Sequence, residues 1–233
     1  MLTLHKNSQR GAADHGWLQS NHSFSFGSYY NPNEMGFGPL RVINEDRVQP
    51  NKGFGEHGHD NMEIISYVLS GSLEHKDSMG NGSVIRYGDV QRMSAGTGVR
   101  HSEFNPSKDE RVHFLQIWIQ PNVQNIEPSY EEKHFNTESK KGALRLIASE
   151  NGRNGSVVVH QDVNIFASIV DGEDTIKQAI LPTRTAYLHL IRGQMTVNGQ
   201  QVTTGDSLKI TNESELTINN ATNAEFLLFD LPY

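Results

Sequence analysis

The sequence contains no cysteine among its 233 residues. A disulfide framework, thiol catalysis and a cysteine-ligated zinc site are therefore excluded. No segment approaches the run of ~20 apolar residues that crosses a bilayer, and the first residues lack the apolar core of a signal peptide. We therefore expect a soluble, cytoplasmic protein that does not bind a membrane.

Positive charge is also scarce. The formal net charge is −7, and lysine and arginine form no cluster along the chain, which argues against direct binding of nucleic acid. The sequence has no Gly-x-Ser-x-Gly hydrolase motif, and Gly96-Thr97-Gly98 lacks the lysine and the following helix of a phosphate-binding loop. We expect a monomer whose partners are small molecules.

The sequence does contain many short runs of β-branched and aromatic residues, separated by turns rich in glycine and asparagine. Residues 64–69 and 112–119 are examples, and Gly80-Asn81-Gly82 is a typical turn. Helical periodicity is weak, and residues 140–149 are the best helix candidate. This pattern predicts an all-β protein of the sandwich or barrel type.

The same order of signals occurs twice along the chain. In each half a strand ending in glycine leads through a hairpin to a Gly-Asp pair and then to a final apolar strand. The markers are Gly71 and Gly88-Asp89 in the first half, and Gly193 and Gly205-Asp206 in the second. The repeat predicts two related β-barrels in tandem.

We place the N-terminal barrel at residues 1–135 and the C-terminal barrel at residues 136–233. Two pairs of polar residues with metal-binding side chains lie in the first barrel. They are His57 with His59, and His101 with Glu103.

Residues i and i+2 of a β-strand share a face, so each pair can point toward the same space. Three imidazoles and one carboxylate suit a divalent transition metal such as iron, nickel, copper, manganese or zinc. When the halves are aligned on Gly71 and Gly193, Ala179 and Leu181 replace the first two histidines. We therefore expect one metal site, in the first barrel.

Glu63 is a competing carboxylate. If the strand from His59 ran straight, Glu63 would lie roughly 13 Å farther along it, whereas Glu103 is two residues from His101. We therefore predict Glu103 as the ligand and expect Glu63 to orient an imidazole by accepting its N–H. His75 stands among charged residues, which favours a solvated surface position, and His113 is ambiguous.

The N-terminal region carries several aromatic residues that could stack on a flat substrate or form an ordinary core. The alternation of Phe24 and Phe26 favours the core. The residues are Trp17, Phe24, Phe26, Tyr29, Tyr30 and Phe37.

Residues 57–63, 67–81 and 94–103 resemble the signature of the pirin family within the cupin superfamily. The likeness extends to residues 22–26 and is greatest to the bacterial pirin-like quercetin 2,3-dioxygenases. The sequence departs from the usual pirin pattern at Gly58, where proline is common, and at Asp60-Asn61-Met62, where Arg-Gly-Phe is usual. Neither difference removes a metal ligand, but both affect the mouth of the pocket.

The resemblance implies a bicupin, with two double-stranded β-helix barrels of jelly-roll type. It implies one divalent metal held by His57, His59, His101 and Glu103, with iron expected and zinc, copper, nickel, manganese or cobalt also acceptable. The implied reaction opens the central heterocycle of a flavonol such as quercetin with dioxygen and releases carbon monoxide. Glu103 is then also the candidate general base. The alternative is a non-enzymatic pirin that senses metal or redox state and regulates a protein partner.

Overall fold

The computed structural model describes all residues from Met1 to Tyr233, and nearly all regular structure in it is β-strand. The twenty strands, in chain order, are β1 Leu2–His5, β2 Gly11–Asp14, β3 Leu18–His22, β4 Leu40–Val48, β5 Gly53–His59, β6 Glu63–Ser70, β7 Ser72–Asp77, β8 Gly82–Arg86, β9 Asp89–Ser94, β10 Val99–Phe104, β11 Val112–Ile119, β12 Ser129–His134, β13 Arg145–Ser149, β14 Val157–Val158, β15 Asn164–Gly172, β16 Ile176–Ala179, β17 Arg184–Val197, β18 Gln200–Thr203, β19 Ser207–Ile210 and β20 Glu215–Pro232. Three single 3₁₀ turns, at Asn7–Gln9, Glu138–Lys140 and Arg153–Gly155, are the helical elements. None of them has the length and apolar character that a membrane-crossing helix requires.

The prediction of an all-β protein is confirmed, but the predicted helix at residues 140–149 is wrong. Lys140 closes a 3₁₀ turn, and Arg145–Ser149 forms β13. This strand pairs antiparallel with β15, where Leu146 lies opposite Phe166. Pairing with a distant strand has overridden a weak local helical pattern.

The chain forms two compact units. The first contains residues 11–134 and 157–161. It has a seven-stranded antiparallel sheet in the order β12-β9-β6-β11-β4-β3-β2 and a four-stranded antiparallel sheet in the order β5-β10-β7-β8. Apolar side chains from both sheets pack together between them, including Val68 and Phe114 from the larger sheet and Leu73 and Ile85 from the smaller.

The second unit contains residues 1–10, 135–156 and 162–233. Its sheet runs in the order β1-β19-β17-β20-β15-β13, with β16 added on β20 and β18 on β17. The interior is strongly apolar, with Leu188, Leu190 and Phe226 fully buried. Because β1 pairs with β19, the first ten residues lie in this unit. The predicted domain limits at residues 1–135 and 136–233 stay a prediction.

The second unit also buries a charged pair, Lys140 with Glu225. The Lys140 ammonium is fully buried and lies 3.5 Å from the Glu225 carboxylate, which is buried too and also accepts a hydrogen bond from Arg192. Burial lowers the pKa of Lys140, and the nearby Glu225 charge opposes this shift. A buried charge of this kind is tolerated because it is paired.

Candidate metal centre

Two adjacent strands of the smaller sheet bring three histidines together. In the antiparallel pairing of β5 with β10, His57 lies opposite His101 and His59 lies opposite Val99. The Nε2 atoms of His57 and His59 are each 3.1 Å from Nε2 of His101. Nitrogen atoms of the three rings all lie within 4.8 Å of one another, and no other group of three potential ligands converges in the structure.

A β-bulge in β5 shapes the space around these rings. Phe54 lies opposite Glu103 and His57 lies opposite His101, so three steps along β5 match two steps along β10. Residues opposite each other in an antiparallel pair share a face. The bulge therefore places Phe54 and His57 on the same face of the sheet, which a regular strand would not do.

Two of the three histidines, His59 and His101, have strongly lowered pKa values. Burial, followed by the neighbouring imidazoles, lowers the pKa of His101 to about 3, and burial followed by His57 lowers the pKa of His59 to about 4. The Nδ1–H of His57 donates to the Gly55 carbonyl at 2.8 Å, so its Nε2 carries a lone pair. Converging neutral imidazole nitrogens are the donors that transition metals prefer, and the residues present therefore fit such an ion.

A fourth histidine, His75, lies next to the His101 ring and is fully buried. The prediction of a solvated surface position for His75 is wrong. Its Nε2 is 3.1 Å from Asp77 Oδ2, and its Nδ1 is 3.1 Å from Gln91 Nε2 and 3.5 Å from His101 Nδ1. His75 thus connects the His101 ring to a buried carboxylate.

The partners of His75 determine where its proton lies. Burial raises the pKa of Asp77, but hydrogen bonds from Asn81 and His75 outweigh this and hold it below the usual value. The ionised carboxylate can only accept, so His75 Nε2 is the donor. Burial lowers the pKa of His75, which leaves its Nδ1 with one lone pair, shared between Gln91 Nε2 at 3.1 Å and the Nδ1–H of His101 at 3.5 Å. The second of these hydrogen bonds leaves the Nε2 lone pair of His101 pointing at the other two imidazoles.

Glu103 is buried in the first unit. Gln116 Nε2 donates to both of its carboxylate oxygens, at 3.0 and 2.9 Å, and the Ser66 hydroxyl lies 3.3 Å from one of them. Complete burial raises the pKa of Glu103 to about 7, although these two neighbours oppose the shift. The carboxylate is not in the set of mutually close ligand atoms, which contains the three imidazoles.

Glu63 does not orient any of the three converging histidines. Its Oε2 accepts hydrogen bonds from the Ser94 hydroxyl at 2.9 Å and from the His160 backbone at 3.2 Å, and lies 3.3 Å from His160 Nδ1. The role predicted for Glu63, which was to orient an imidazole by accepting its N–H, belongs to His75. His113 lies at the barrel wall, where its Nε2 bonds to Glu45 at 2.8 Å.

Known sequences and structures resemble this chain over its full length. The sequence model of the pirin family matches residues 4–119, and that of the quercetinase C-terminal cupin domain matches residues 146–231. A protein from Escherichia coli K12 named quercetin 2,3-dioxygenase is 46% identical, with 100% of this chain and 99% of the relative covered. A pirin-like protein from Caulobacter vibrioides is 38% identical, with 94% and 95% covered.

Among solved structures, that of the bacterial pirin YhhW from Escherichia coli in complex with nickel(II) matches with a TM-score of 0.95. The two chains are 44% identical, and the match covers 100% of this chain and 99% of the other. A quercetin 2,3-dioxygenase from Acinetobacter baumannii matches with a TM-score of 0.80 at 20% identity, which supports the fold alone.

Proposed function

Because this chain belongs to the pirin family, we propose that it is a metal-dependent dioxygenase of the quercetin 2,3-dioxygenase type. It opens the central heterocycle of a flavonol, adding both atoms of dioxygen and releasing one carbon as carbon monoxide. The family matches in both halves confirm the predicted bicupin fold. The E. coli relative named for this activity shares 46% of its residues over the whole chain.

The observation that carries the proposal is the convergence of three imidazoles in the first barrel. His57, His59 and His101 would hold the ion, and Glu103 is the predicted fourth ligand. A bound divalent transition metal would polarise the flavonol oxygens and supply open coordination positions. Iron is the metal that we expect, and the nickel complex of YhhW shows that the related protein accepts nickel.

Glu103 is also suited to remove the proton of the flavonol 3-hydroxyl. A general base works best when its pKa is near the working pH, and burial raises the pKa of Glu103 to about 7. Gln116 and Ser66 fix the carboxylate in position through hydrogen bonds. In this role Glu103 receives the proton on a carboxylate oxygen.

The test combines metal analysis with turnover. The purified protein is loaded with iron or nickel, flavonol loss is followed by absorbance, and carbon monoxide is trapped and quantified. We expect turnover that is lost in His101→Ala and retained in His134→Ala, because His134 is an exposed histidine outside the site. Metal binding without turnover of any flavonol would refute the enzyme and favour the regulatory alternative. Absence of metal binding would refute both.

Flavonol and dioxygen are the proposed partners of the chain. The negative net charge of −7 supports the absence of direct nucleic-acid binding. A monomer in the cytoplasm stays a prediction, which size-exclusion chromatography and cell fractionation test.

A further inference from the structure

A cavity of about 340 Å³ lies in the first unit, bordered by β3, β4 and the Phe54 side chain of β5. We call it the ring cavity. Its apolar wall and its polar wall are formed by different residues. The apolar ones include Trp17, Leu18, Phe26 and Phe54, and the polar ones include Ser20, His22, Asn44 and Asp46.

Two residues that line the ring cavity, Phe26 and Phe54, connect it with the strands and side chains of the metal centre. Phe54 shares the sheet face of His57 because of the β5 bulge. On the other side Trp118 packs against His59, with ring centroids 5.0 Å apart, and against Phe26 at 5.4 Å. The buried indole N–H of Trp118 has no hydrogen-bond partner in the protein, which fits a donor that serves a bound ligand.

The polar wall is connected to Glu103. Asn44 lies directly opposite Gln116 in the pairing of β4 with β11, and Gln116 donates to the Glu103 carboxylate at 2.9 Å. Gln116 thus links Glu103 to Asn44, which lines the ring cavity.

The walls suit a flat ring that carries hydroxyl groups. Trp17 and Phe54 meet edge to face with centroids 5.3 Å apart, and such aromatic walls favour stacking with another ring. Asp46 is 5% exposed, faces the cavity and accepts a hydrogen bond from the Ser20 hydroxyl. Carboxylate oxygens have several acceptor positions, and phenolic hydroxyls are donors that match them.

We propose that the ring cavity holds the phenyl ring on carbon 2 of the flavonol and that Asp46 accepts hydrogen bonds from its hydroxyl groups. The inference rests on the proposed function and adds a substrate preference to it. The phenyl ring adjoins the reacting 3-hydroxyl and turns about a single bond, so it can enter the cavity separately from the fused rings. The chain should favour flavonols with hydroxyls on this ring, such as quercetin, over galangin, which has none there.

The first test measures binding to the metal-free protein and so does not depend on turnover. The chain has two tryptophans, and quenching of their fluorescence by an added flavonol reports binding with both side chains in place. We expect Asp46→Asn to weaken quercetin binding about 10-fold, as expected when a charged acceptor is lost, and to change galangin binding less than about twofold. Asp109→Asn, an exposed aspartate in a loop, is the matched control and should change neither.

The second test uses the metal-loaded enzyme. Asp46→Asn should lower kcat/KM for quercetin about 10-fold, mainly through KM, and leave the value for galangin nearly unchanged. The proposal for the ring cavity would be overturned by equal losses for both flavonols, by no loss for either, or by no flavonol binding to the metal-free protein. Normal binding without any turnover would instead overturn the proposed dioxygenase activity alone.

Discussion

The substitution Asp77→Asn should reverse the proton position on His75 and weaken metal binding. In the native structure Asp77 Oδ1 accepts from the backbone N–H of Met79 at 2.9 Å and of Asn81 at 3.0 Å. Asp77 Oδ2 accepts from His75 Nε2 at 3.1 Å. The two backbone donors hold the amide oxygen of the new asparagine at the Oδ1 position, so its NH₂ group faces His75.

The consequence passes from His75 to His101. An NH₂ group is a donor, and His75 Nε2 must then accept, which moves the single ring proton to Nδ1. That Nδ1 can no longer accept from Gln91 or from His101 Nδ1. The His101 ring loses the hydrogen bond that fixes its tautomer and orientation, so its Nε2 lone pair is directed less reliably at the metal.

The length of the His101–His75 contact sets the expected loss of metal affinity. Removing the outer partner of a metal-binding histidine typically costs 10–100-fold in affinity, which is about 1.4–2.7 kcal/mol. The His101–His75 distance of 3.5 Å is long for a hydrogen bond. We therefore expect the lower end of this range, a roughly 10-fold loss.

The assay is competition for nickel between the protein and a coloured chelator, with thermal unfolding recorded for each variant. Asp89→Asn is the matched control, because Asp89 also bonds to a histidine, His134, at 2.7 Å, but on the surface. The reasoning would be refuted if Asp77→Asn kept the wild-type nickel affinity within twofold while remaining folded. It would equally be refuted if the control lost as much affinity.

Three further predictions concern the base, the pH profile and the buried lysine. Glu103→Gln should abolish turnover while leaving part of the metal bound, and unchanged flavonol loss would contradict the assignment. The kcat/KM should fall at acid pH as the Glu103 base becomes protonated; burial raises its pKa to about 7 without a metal ion, and a cation bound at this residue moves the fall to lower pH. His59 and His101, whose pKa values are lowered to about 4 and about 3, should add no titration step near neutrality. Lys140→Ala should destabilise the chain by about 3 kcal/mol in urea unfolding, because it leaves a buried carboxylate with one partner fewer. Lys177→Ala, which removes an exposed ion pair, should lower the stability by less than about 0.5 kcal/mol.

The shared face of His57 and His59 could be predicted from the sequence because it depends on one local rule. Alternate residues of a strand share a face, and this rule applies to His57 and His59 without knowledge of their neighbours. The tandem repeat was accessible for a similar reason. Gly71 and Gly193 both have positive φ values, and a Cβ atom at either position would lie 2.7 Å or less from a backbone oxygen, which excludes a side chain.

The position of His75 was missed although the same rule could have found it. Its charged neighbours suggested solvent, but Glu74 and Lys76 occupy the opposite face of β7 and form their own ion pair at 2.8 Å. His75 and Asp77 are two residues apart and share the inner face, as do His57 and His59. What the sequence could not supply is the pairing of β7 with β10, which depends on residues far apart in the chain.

The β5 bulge could not be predicted either, because it is a property of the pairing between two strands. Within β5 alone, Phe54 and His57 are three residues apart and should point to opposite faces. The register with β10 places them on the same face. Residue spacing alone therefore singles out the histidines that converge but misses the position of Phe54 on their side of the sheet.

The proposed metal ligands and the proposed substrate contact lie on different sheets of the first unit. His57, His101 and Asp77 lie on β5, β10 and β7, which are consecutive in the four-stranded sheet, whereas Ser20 and Asp46 lie on β3 and β4 of the other sheet. The Ser20 hydroxyl that bonds to Asp46 makes no hydrogen bond to Asp77, whose donors come from its own strand and the turn after it. Substitutions without shared partners usually have additive effects.

The double variant Asp46→Asn with Asp77→Asn tests this separation. We expect its nickel affinity to equal that of Asp77→Asn and its preference for quercetin over galangin to equal that of Asp46→Asn, within about 0.5 kcal/mol. Chelator competition and flavonol binding to the metal-free protein measure the two quantities independently. A coupling energy clearly above that limit would mean that the two sheets shift together when either carboxylate is changed. The ring cavity and the metal centre would then have to be treated as one site.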